Sequence, residues 1–487
     1  MKSIENPILW RFHSRLKAVS EHPYTLYILL SIGFLLRLLL FFNTTQFEDV
    51  SEVNAVWGAM ERLRTGEPVY LYTGNYPFGI VYVAYFFEYA FGSLAWFFVF
   101  QCLVATATLY FVYMITLKIS GSKTGAVISL LLATIYMDFA LLPPVIYNQN
   151  FEIFFTAAAL LVSIHLFNSK NLAQFFAWTL FLFVVLYVSL LLKATLQYYY
   201  FIFLFLFGFS VLRKWRRSGR LKFEYLLAFL VGFLIFNYLV PRNFFTKPGA
   251  ELTNNHVFFG HTDYGGLGGE GTFLYEENEL RYQKALDAYL IENDIDEPTR
   301  KQLNAFRQAE MIKFIKQKPL SWIGLQIRKV VYTYGSVPVR DTLTLLKTGK
   351  LNIGLILSVL LAQLTFALPI LLFFLFIRWT KFRELLTNRQ GQLLLFVFLY
   401  TLAATSIYGH YQERYRILVM VSAIIPLVGV FYDPHYLQKV FSNRSLLLTK
   451  LAVFSLIFLI WAYQIYDALW INSERYFKYI ENVSSAG

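Results

Sequence analysis

The sequence predicts an all-α polytopic membrane protein with about eleven transmembrane helices, and three observations carry that expectation. The 487 residues are 57% hydrophobic and 19% aromatic. Only 15% are charged, against about 25% in a soluble domain, and the mean hydropathy is +0.50. The apolar residues also fall into runs long enough to cross a hydrocarbon core, which takes about 20 helical residues.

The runs lie near 24–42, 94–117, 124–142, 150–167, 173–192, 195–212, 223–241, 353–377, 392–408, 416–431 and 449–471. The first is too long for a signal-peptide core and is followed by no small-residue cleavage site, so it reads as an uncleaved anchor. An amphipathic stretch runs from the acidic segment after it to Gly66, and the apolar stretch 77–92 is short, as suits a re-entrant or interfacial helix. The sizeable polar region is 242–352. It opens on a Gly-rich loop, Phe259 to Gly271, and continues in helical patterns near 276–292, 298–317 and 320–334. Pro298 is expected in the first turn of the second. In the third, Ile327, Val330 and Val331 alternate with Arg328 and Lys329, the pattern of a helix on a membrane surface. Three modules follow: 1–241 with a first outer loop at 44–93, the outer-face segment 242–352, and 353–487.

The formal charge is +13, but its placement argues for membrane orientation and against a nucleic-acid partner. Basic residues cluster at Arg213 to Arg220, at Arg378, Lys381, Arg383 and Arg389, and at Lys2, Arg11, Arg15 and Lys17. An eleven-span count with the N-terminus inside puts all three on the cytoplasmic face. The acidic segment at 48–52, the 143–149 turn, the 242–352 region and the 409–415 loop then share the outer face. The one cysteine, Cys102, lies in an apolar run, which excludes an intrachain disulfide and leaves the redox compartment open.

Candidate chemistry collects in those outer segments. Glu48, Asp49 and Glu52 suit a general base taking a proton from a hydroxyl, or simply an acidic helix start. Glu152 suits a cap on the first turn of a membrane helix, or a second acid that accepts sugar hydroxyls. Lys193 either snorkels to the interface or offers a cation to a phosphate leaving group. In Gly409 to Arg416, Arg414 and Arg416 suit a grip on a lipid-linked phosphate, against a plainer pairing with Glu413 and headgroups. Tyr70, Tyr72 and Tyr76 could stack on sugar, though interfacial tyrosines need no such role. His261 and His410 complete the candidate substrate contacts. Gly266 to Gly271 fits GxGxxG in letters only: no strand–helix unit surrounds it, so a nucleotide site is rejected in favour of a mobile loop over a cleft. His256, His261, Asp263 and Glu270 match no metal-site spacing, so a divalent metal is not indicated.

At these residues the chain resembles the C-type (GT-C) membrane glycosyltransferases, the superfamily of protein O-mannosyltransferases and the aminoarabinose transferases of lipid A. The resemblance is carried, in order, by Glu48-Asp49, Gly66-Glu67-Pro68-Val69-Tyr70, Tyr76-Pro77, Glu152, Lys193, Lys318-Pro319-Leu320 and Glu413-Arg414-Tyr415. Each motif is short, while their order covers nearly the whole chain. The Tyr-Pro-Pro common in such proteins is Tyr76-Pro77-Phe78 here.

The resemblance implies a GT-C-like fold and transfer of a sugar, with inversion, from a polyprenyl-phosphate carrier. The acceptor would be a lipid, glycan or protein on the outer face of a prokaryotic inner membrane, with no cofactor required. Asp49 would deprotonate the acceptor, or only orient it if the acceptor is a phosphate. Lys193, Arg414 and Arg416 would stabilise the departing lipid phosphate. Rival expectations are an oligosaccharide ligase or polymerase fed by a lipid diphosphate, and a lipid-linked sugar transporter or flippase. The repeated halves and broken mid-membrane helices of transporters are not evident.

Overall fold

The computed structural model describes residues 7–43, 51–67, 79–146, 148–192, 275–335, 353–407 and 415–466, with 69, 72–73, 76–77, 196, 199, 208, 227, 230–231, 234, 258 and 260–264. The first half contains α1 (Pro7–Glu21), α2 (Thr25–Asn43), α3 (Ser51–Arg64), α4 (Gly79–Phe91), α5 (Ala95–Ser120), α6 (Lys123–Ile135), α7 (Met137–Ala140), α8 (Gln149–Phe167) and α9 (Leu172–Leu192). Between α3 and α4, β1 (Tyr72–Thr73) pairs antiparallel with β2 (Tyr76–Pro77). The polar region supplies α10 (Tyr275–Glu292), α11 (Arg300–Gln317) and α12 (Pro319–Thr333). The last part holds α13 (Ile353–Phe376), α14 (Trp379–Thr387), α15 (Arg389–Leu402), α16 (Arg416–Val419), α17 (Ile425–Phe431), α18 (Pro434–Ser442) and α19 (Arg444–Tyr466). A π-helical segment, Ala403–Ile407, extends α15, and another, Met420–Ile424, joins α16 to α17.

Among the described residues, α2, α5, α8, α9 and α19 are long and apolar enough to cross a membrane. The count reaches seven if two bent pairs are each one span: α13 with α14, bent by 91°, and α16–α17 with α18, bent by 74°. The chain is therefore a helical integral membrane protein. The expected spans at 195–212 and 223–241 lie outside the described residues except for 196, 199, 208, 227, 230–231 and 234. The one expected at 124–142 is interrupted: α6 stops at Tyr136, whose backbone is extended (φ −64, ψ 103). The 77–92 stretch forms the short apolar α4, as its length suggested.

Local chemistry accounts for the helix boundaries. Gly121, at φ 68, closes α5 in the left-handed conformation, and its N–H reaches Leu117 O. Ser122 then caps α6, accepting from Gly125 N at 3.1 Å, so two helices meet in a tight hairpin. Thr299 and Gln302 form a reciprocal capping box at the start of α11. This corrects the placement of Pro298, which lies before the cap and outside the first turn. Within the apolar helices, hydroxyls of Thr108, Thr116, Thr156, Thr179 and Thr401 donate to carbonyls four residues back, which satisfies them without water.

Burial separates the centre from the rim. The apolar window of α8 is 72% buried, while those of α2 and α19 are 17% and 11% buried, so α8 runs through the middle and the other two present their surface outward. Around α8 pack α5, α9 and α15, and α6 and α17 close against α5. The α6–α17 contact is close: Gly125 and Gly429 face each other, and Ser129 Oγ donates to Ile425 O at 2.9 Å. Small residues let the two backbones approach, a recurring device where dispersion rather than hydrophobicity joins helices.

One end of the bundle is defined by links between distant segments. His13 Nδ1 lies 3.0 Å from Tyr432 Oη, Ser20 Oγ 3.0 Å from Thr124 Oγ1, and Gln390 Nε2 donates to Asn168 Oδ1 at 3.0 Å. Arg378 pairs with Asp433 at 2.5 Å. Arg11, Lys17, Lys123, Lys381 and Lys439 belong to segments at this same end, the basic end. The opposite end carries α3, α4, the 136–148 connection and α12.

A Cβ at Gly429 would meet the backbone oxygen of Gly125, which has no side-chain freedom to yield. Gly429→Ala should therefore cost about 1–3 kcal/mol, read as a lower thermal unfolding midpoint in detergent. Gly58→Ala, where nothing lies within 4 Å, should leave the midpoint unchanged or slightly raised.

Candidate functional site

At the end opposite the basic loops, the chain between α7 and α8 buries an unusual density of polar groups. Asn148, Gln149, Asn150 and Glu152 are all buried, and Gln101 of α5 is fully so. Pro143 and Pro144 stop any helix here, and Gln101 holds the resulting turn. Its Nε2 donates to Pro143 O at 3.0 Å and Val145 O at 2.7 Å, while Asn150 Nδ2 donates to Gln101 O at 2.9 Å. Gln101 Oε1, Gln149 Oε1 and Asn150 Oδ1 are buried with no hydrogen-bond partner among the described residues. Carbonyl oxygens held dry and without donors are costly. They are also suited to accept from hydroxyls.

One apolar cluster ties this turn to two other candidate segments. Val56, Ala59 and Met60 of α3 pack with Ile80 and Ala84 of α4, Ile146 of the turn, Phe151 of α8 and Leu192 of α9. Phe151 adjoins Glu152, Leu192 adjoins position 193, and α3 begins two residues after Asp49. The strand β2, which contains Tyr76, also contacts α9. Non-local burial thus brings α3, the turn before α8, Phe151 and the end of α9 together.

A second group is built on α7 and α16. Asp138 and Arg416 pair at 2.9 Å, with side-chain exposures of 0% and 1%. Arg416 Nε and Nη2 both donate to Asp138 Oδ2, which also accepts from Tyr136 Oη at 3.2 Å. The third donor, Nη1, reaches Gly335 O at 2.7 Å, and the guanidinium lies 3.9 Å from the Phe366 ring centroid. Arg416, read from sequence as a phosphate ligand, is engaged here in joining α7, α16 and the end of α12. A further buried cation lies against α7: Arg37 of α2 donates to Gly33 O and sits over the Phe139 ring at 4.7 Å. Its Nε and Nη2 find no hydrogen-bond partner among the described residues.

The third group lies on α12, which is amphipathic in the inverted sense. Leu320 and Ile327 are 82% and 58% exposed, while Gln326, Lys329 and Thr333 face inward with Leu325. This is the arrangement of a helix with its apolar side toward lipid. Lys329 Nζ donates to Gly260 O at 2.7 Å, and Trp322 Nε1 donates to His261 Nδ1 at 3.0 Å. Trp461 Nε1 and Gln464 Nε2 of α19 hold the end of α12 through Tyr334 O and Val331 O. Burial lowers the Lys329 pKa from the usual lysine value to about 7.

Of the residues singled out from sequence, Glu152, Arg416 and His261 are placed in full. Glu52 lies in α3 and Tyr76 in β2. Glu48, Asp49, Tyr70, Lys193, His410 and Arg414 fall outside the described residues, as do His256, Glu270 and Glu413. Asp263 pairs with Arg281 at 3.0 Å and Lys318 at 3.5 Å. Among the described residues, no three His, Cys, Asp or Glu side chains gather as a metal site would require. Asp138, Lys329, Arg37 and Gln101 were not singled out from sequence. Asp138 and Arg37 carried a signal, an ionisable residue inside an apolar run. Gln101 and Lys329 carried none without their partners.

Removing one partner of a solvent-excluded pair strands the other charge. Asp138→Leu or Arg416→Met alone should cost about 3–5 kcal/mol, and the double variant should recover most of it, measured by thermal unfolding in detergent. For Lys329, the folded state releases its proton near 7 while the unfolded chain holds it to about 10.5. The unfolded state binds more protons in that window, so stability should rise with pH from about 7 toward 10. Lys329→Met should flatten that rise in unfolding midpoints recorded across the same range.

Compared with models of protein families and with curated proteins, the chain matches none.

Proposed function

We propose that the protein is a membrane glycosyltransferase, moving a sugar from a polyprenyl-phosphate carrier to an acceptor on the membrane face opposite the basic loops. The observation that best supports this reading is the shared apolar cluster. It holds α3, Phe151 and Leu192 together, and these elements precede or follow Asp49, Glu152 and Lys193 closely in the sequence. Sugar transfer needs those three chemistries at one place: a base, acceptors for sugar hydroxyls, and a cation for phosphate.

In this mechanism the acceptor oxygen attacks C1 of the sugar as the bond from C1 to the phosphate oxygen breaks. Attack opposite the leaving group inverts the anomeric centre. The acceptor proton passes to Asp49, with Glu48 and Glu52 as the alternative carboxylates in the same segment. The polyprenyl phosphate departs with its new charge, which Lys193 and Arg414 stabilise. Glu152 and the unpartnered amide oxygens of Gln149 and Asn150 accept hydrogen bonds from the sugar. Arg416, engaged with Asp138, fixes the start of α16, two residues after Arg414 in the sequence. Tyr70, Tyr76, His261 and His410 serve as further substrate contacts.

Mass spectrometry of lipids co-purified with the protein tests the donor class: a sugar-bearing polyprenyl phosphate is expected, and a lipid diphosphate bearing an oligosaccharide would replace this reading with a ligase or polymerase. Asp49→Asn should lower transfer by about 10²–10⁴-fold with membrane insertion and unfolding midpoint unchanged. A fully active, well-folded variant would remove Asp49 from the chemistry. Arg414→Ala should raise the KM for donor more than that for acceptor.

A further inference from the structure

The basic end of the bundle contains a cleft that the transfer reaction does not use. Two chain bends create it. After α13 the chain turns by 91° into α14, and after α17 it turns by 74° into α18. Each bend takes the chain from running along the bundle to running across it, so α14 and α18 form a shelf where the apolar helices end. Against this shelf stands the first third of α19. The space between them is an open cleft of about 650 Å³.

Its lining divides by chemistry. Phe374, Ile377, Leu446 and Val453 make an apolar wall. Arg378, Lys439 and Lys450 supply three cations, with His435 beside them, and no carboxylate is among the lining residues. Asp433, just before α18, is paired with Arg378 at 2.5 Å and also caps α18, accepting from His435 N at 2.9 Å. Lys450 Nζ is oriented by the carbonyls of Phe374 and Ile377, at 2.7 and 2.8 Å, so this cation is held at the corner without a neutralising carboxylate. Tyr436 lies under both Arg378 and Lys450, at 5.3 and 5.8 Å, and donates to Ile377 O. Trp379, 70% exposed, stands at the mouth where an indole suits the boundary of headgroup and acyl chain.

We propose that this cleft binds one anionic phospholipid, with its phosphate against Arg378, Lys439 and Lys450 and its acyl chains along Phe374, Leu446 and Val453. Charge decides the phosphate end. The three cations face one carboxylate, already bonded to Arg378, which leaves an excess of positive charge that a zwitterionic headgroup does not neutralise. The apolar wall decides that the ligand is a lipid, since a free phosphate would leave that wall unoccupied. Basic pockets between membrane helices are a recognised solution for anionic headgroups, and this one lies where two apolar helices bend and end. The site is independent of the proposed transfer chemistry, because it lies at the opposite end of the bundle from Glu152.

The test is native mass spectrometry of the full-length protein in detergent, titrated with phosphatidylglycerol and with phosphatidylcholine of the same chains. Phosphatidylglycerol should bind more tightly, by roughly fivefold for each unneutralised cation. Lys439 is exposed and holds no part of the fold, so Lys439→Glu should remove most of that preference without lowering the unfolding midpoint. Thr449→Glu, on the adjacent wall of α19, should do the same from a second element. Trp379→Ala should weaken both lipids. Equal binding of the two lipids would overturn the proposal, as would a preference that survives both charge variants. Displacement of phosphatidylglycerol by millimolar inorganic phosphate would show a phosphate site and not a lipid site, and would overturn it too.

Discussion

A carboxylate and a guanidinium buried beyond the reach of water join segments that are far apart in the chain. Asp138 belongs to the short helix α7, Arg416 opens α16, and the same guanidinium reaches the carbonyl of Gly335 at the end of α12. Neither charge has solvent to fall back on, so each depends on the other. The pair therefore acts as a register for the end of the bundle that carries the candidate site. The interruption of the third expected span at Tyr136 has its reason here: it turns Asp138 toward Arg416, and Tyr136 itself donates to the same carboxylate oxygen. From Gly335 the connection runs back through α12 to Lys329, Gly260 and His261, so the polar region is hung on the membrane helices through named hydrogen bonds.

The two ends of the bundle differ in how they handle charge. At the basic end, cations remain near the surface, and ion pairs such as Lys381 with Glu384 are at least partly exposed; such pairs contribute little to stability. At the other end the polar groups are buried, and several amide oxygens have no donor among the described residues. A fold under selection for stability alone would fill such a place with apolar side chains. Retaining buried acceptors beside Glu152 is the kind of cost that functional sites carry. The same contrast explains the lipid cleft: its cations lie where the helices bend and end, and anionic headgroups can compensate them.

Much of the architecture was legible because membrane helices announce themselves by length and apolarity. The runs at 24–42, 94–117, 150–167, 173–192 and 449–471 correspond to α2, α5, α8, α9 and α19, and the three polar helices fall close to their expected places. The start of α11 was misread by two positions, because Pro298 and Thr299 are both helix-start residues and only the reciprocal bonds with Gln302 identify Thr299 as the cap. Glu152 was legible as a carboxylate in the first turn of a membrane helix. Gln101 was not: its importance arises from carbonyls more than forty residues away. Arg416 illustrates the limit most plainly. Its residue type suggested an anion partner, and the anion it meets in the fold is Asp138, 278 positions earlier.

The sequence by itself determined the helical membrane class, the order of apolar and polar segments and the clustering of basic loops, because these follow from local composition and the thickness of a bilayer. Tertiary structure alone decided which polar residues meet. It paired Asp138 with Arg416, turned the polar side of α12 inward, and gathered α3, Phe151 and Leu192 into one cluster. The physical reason is that membrane insertion responds to hydrophobicity summed along a segment. A buried ion pair or hydrogen bond depends instead on the positions of two atoms that only packing brings within 3 Å.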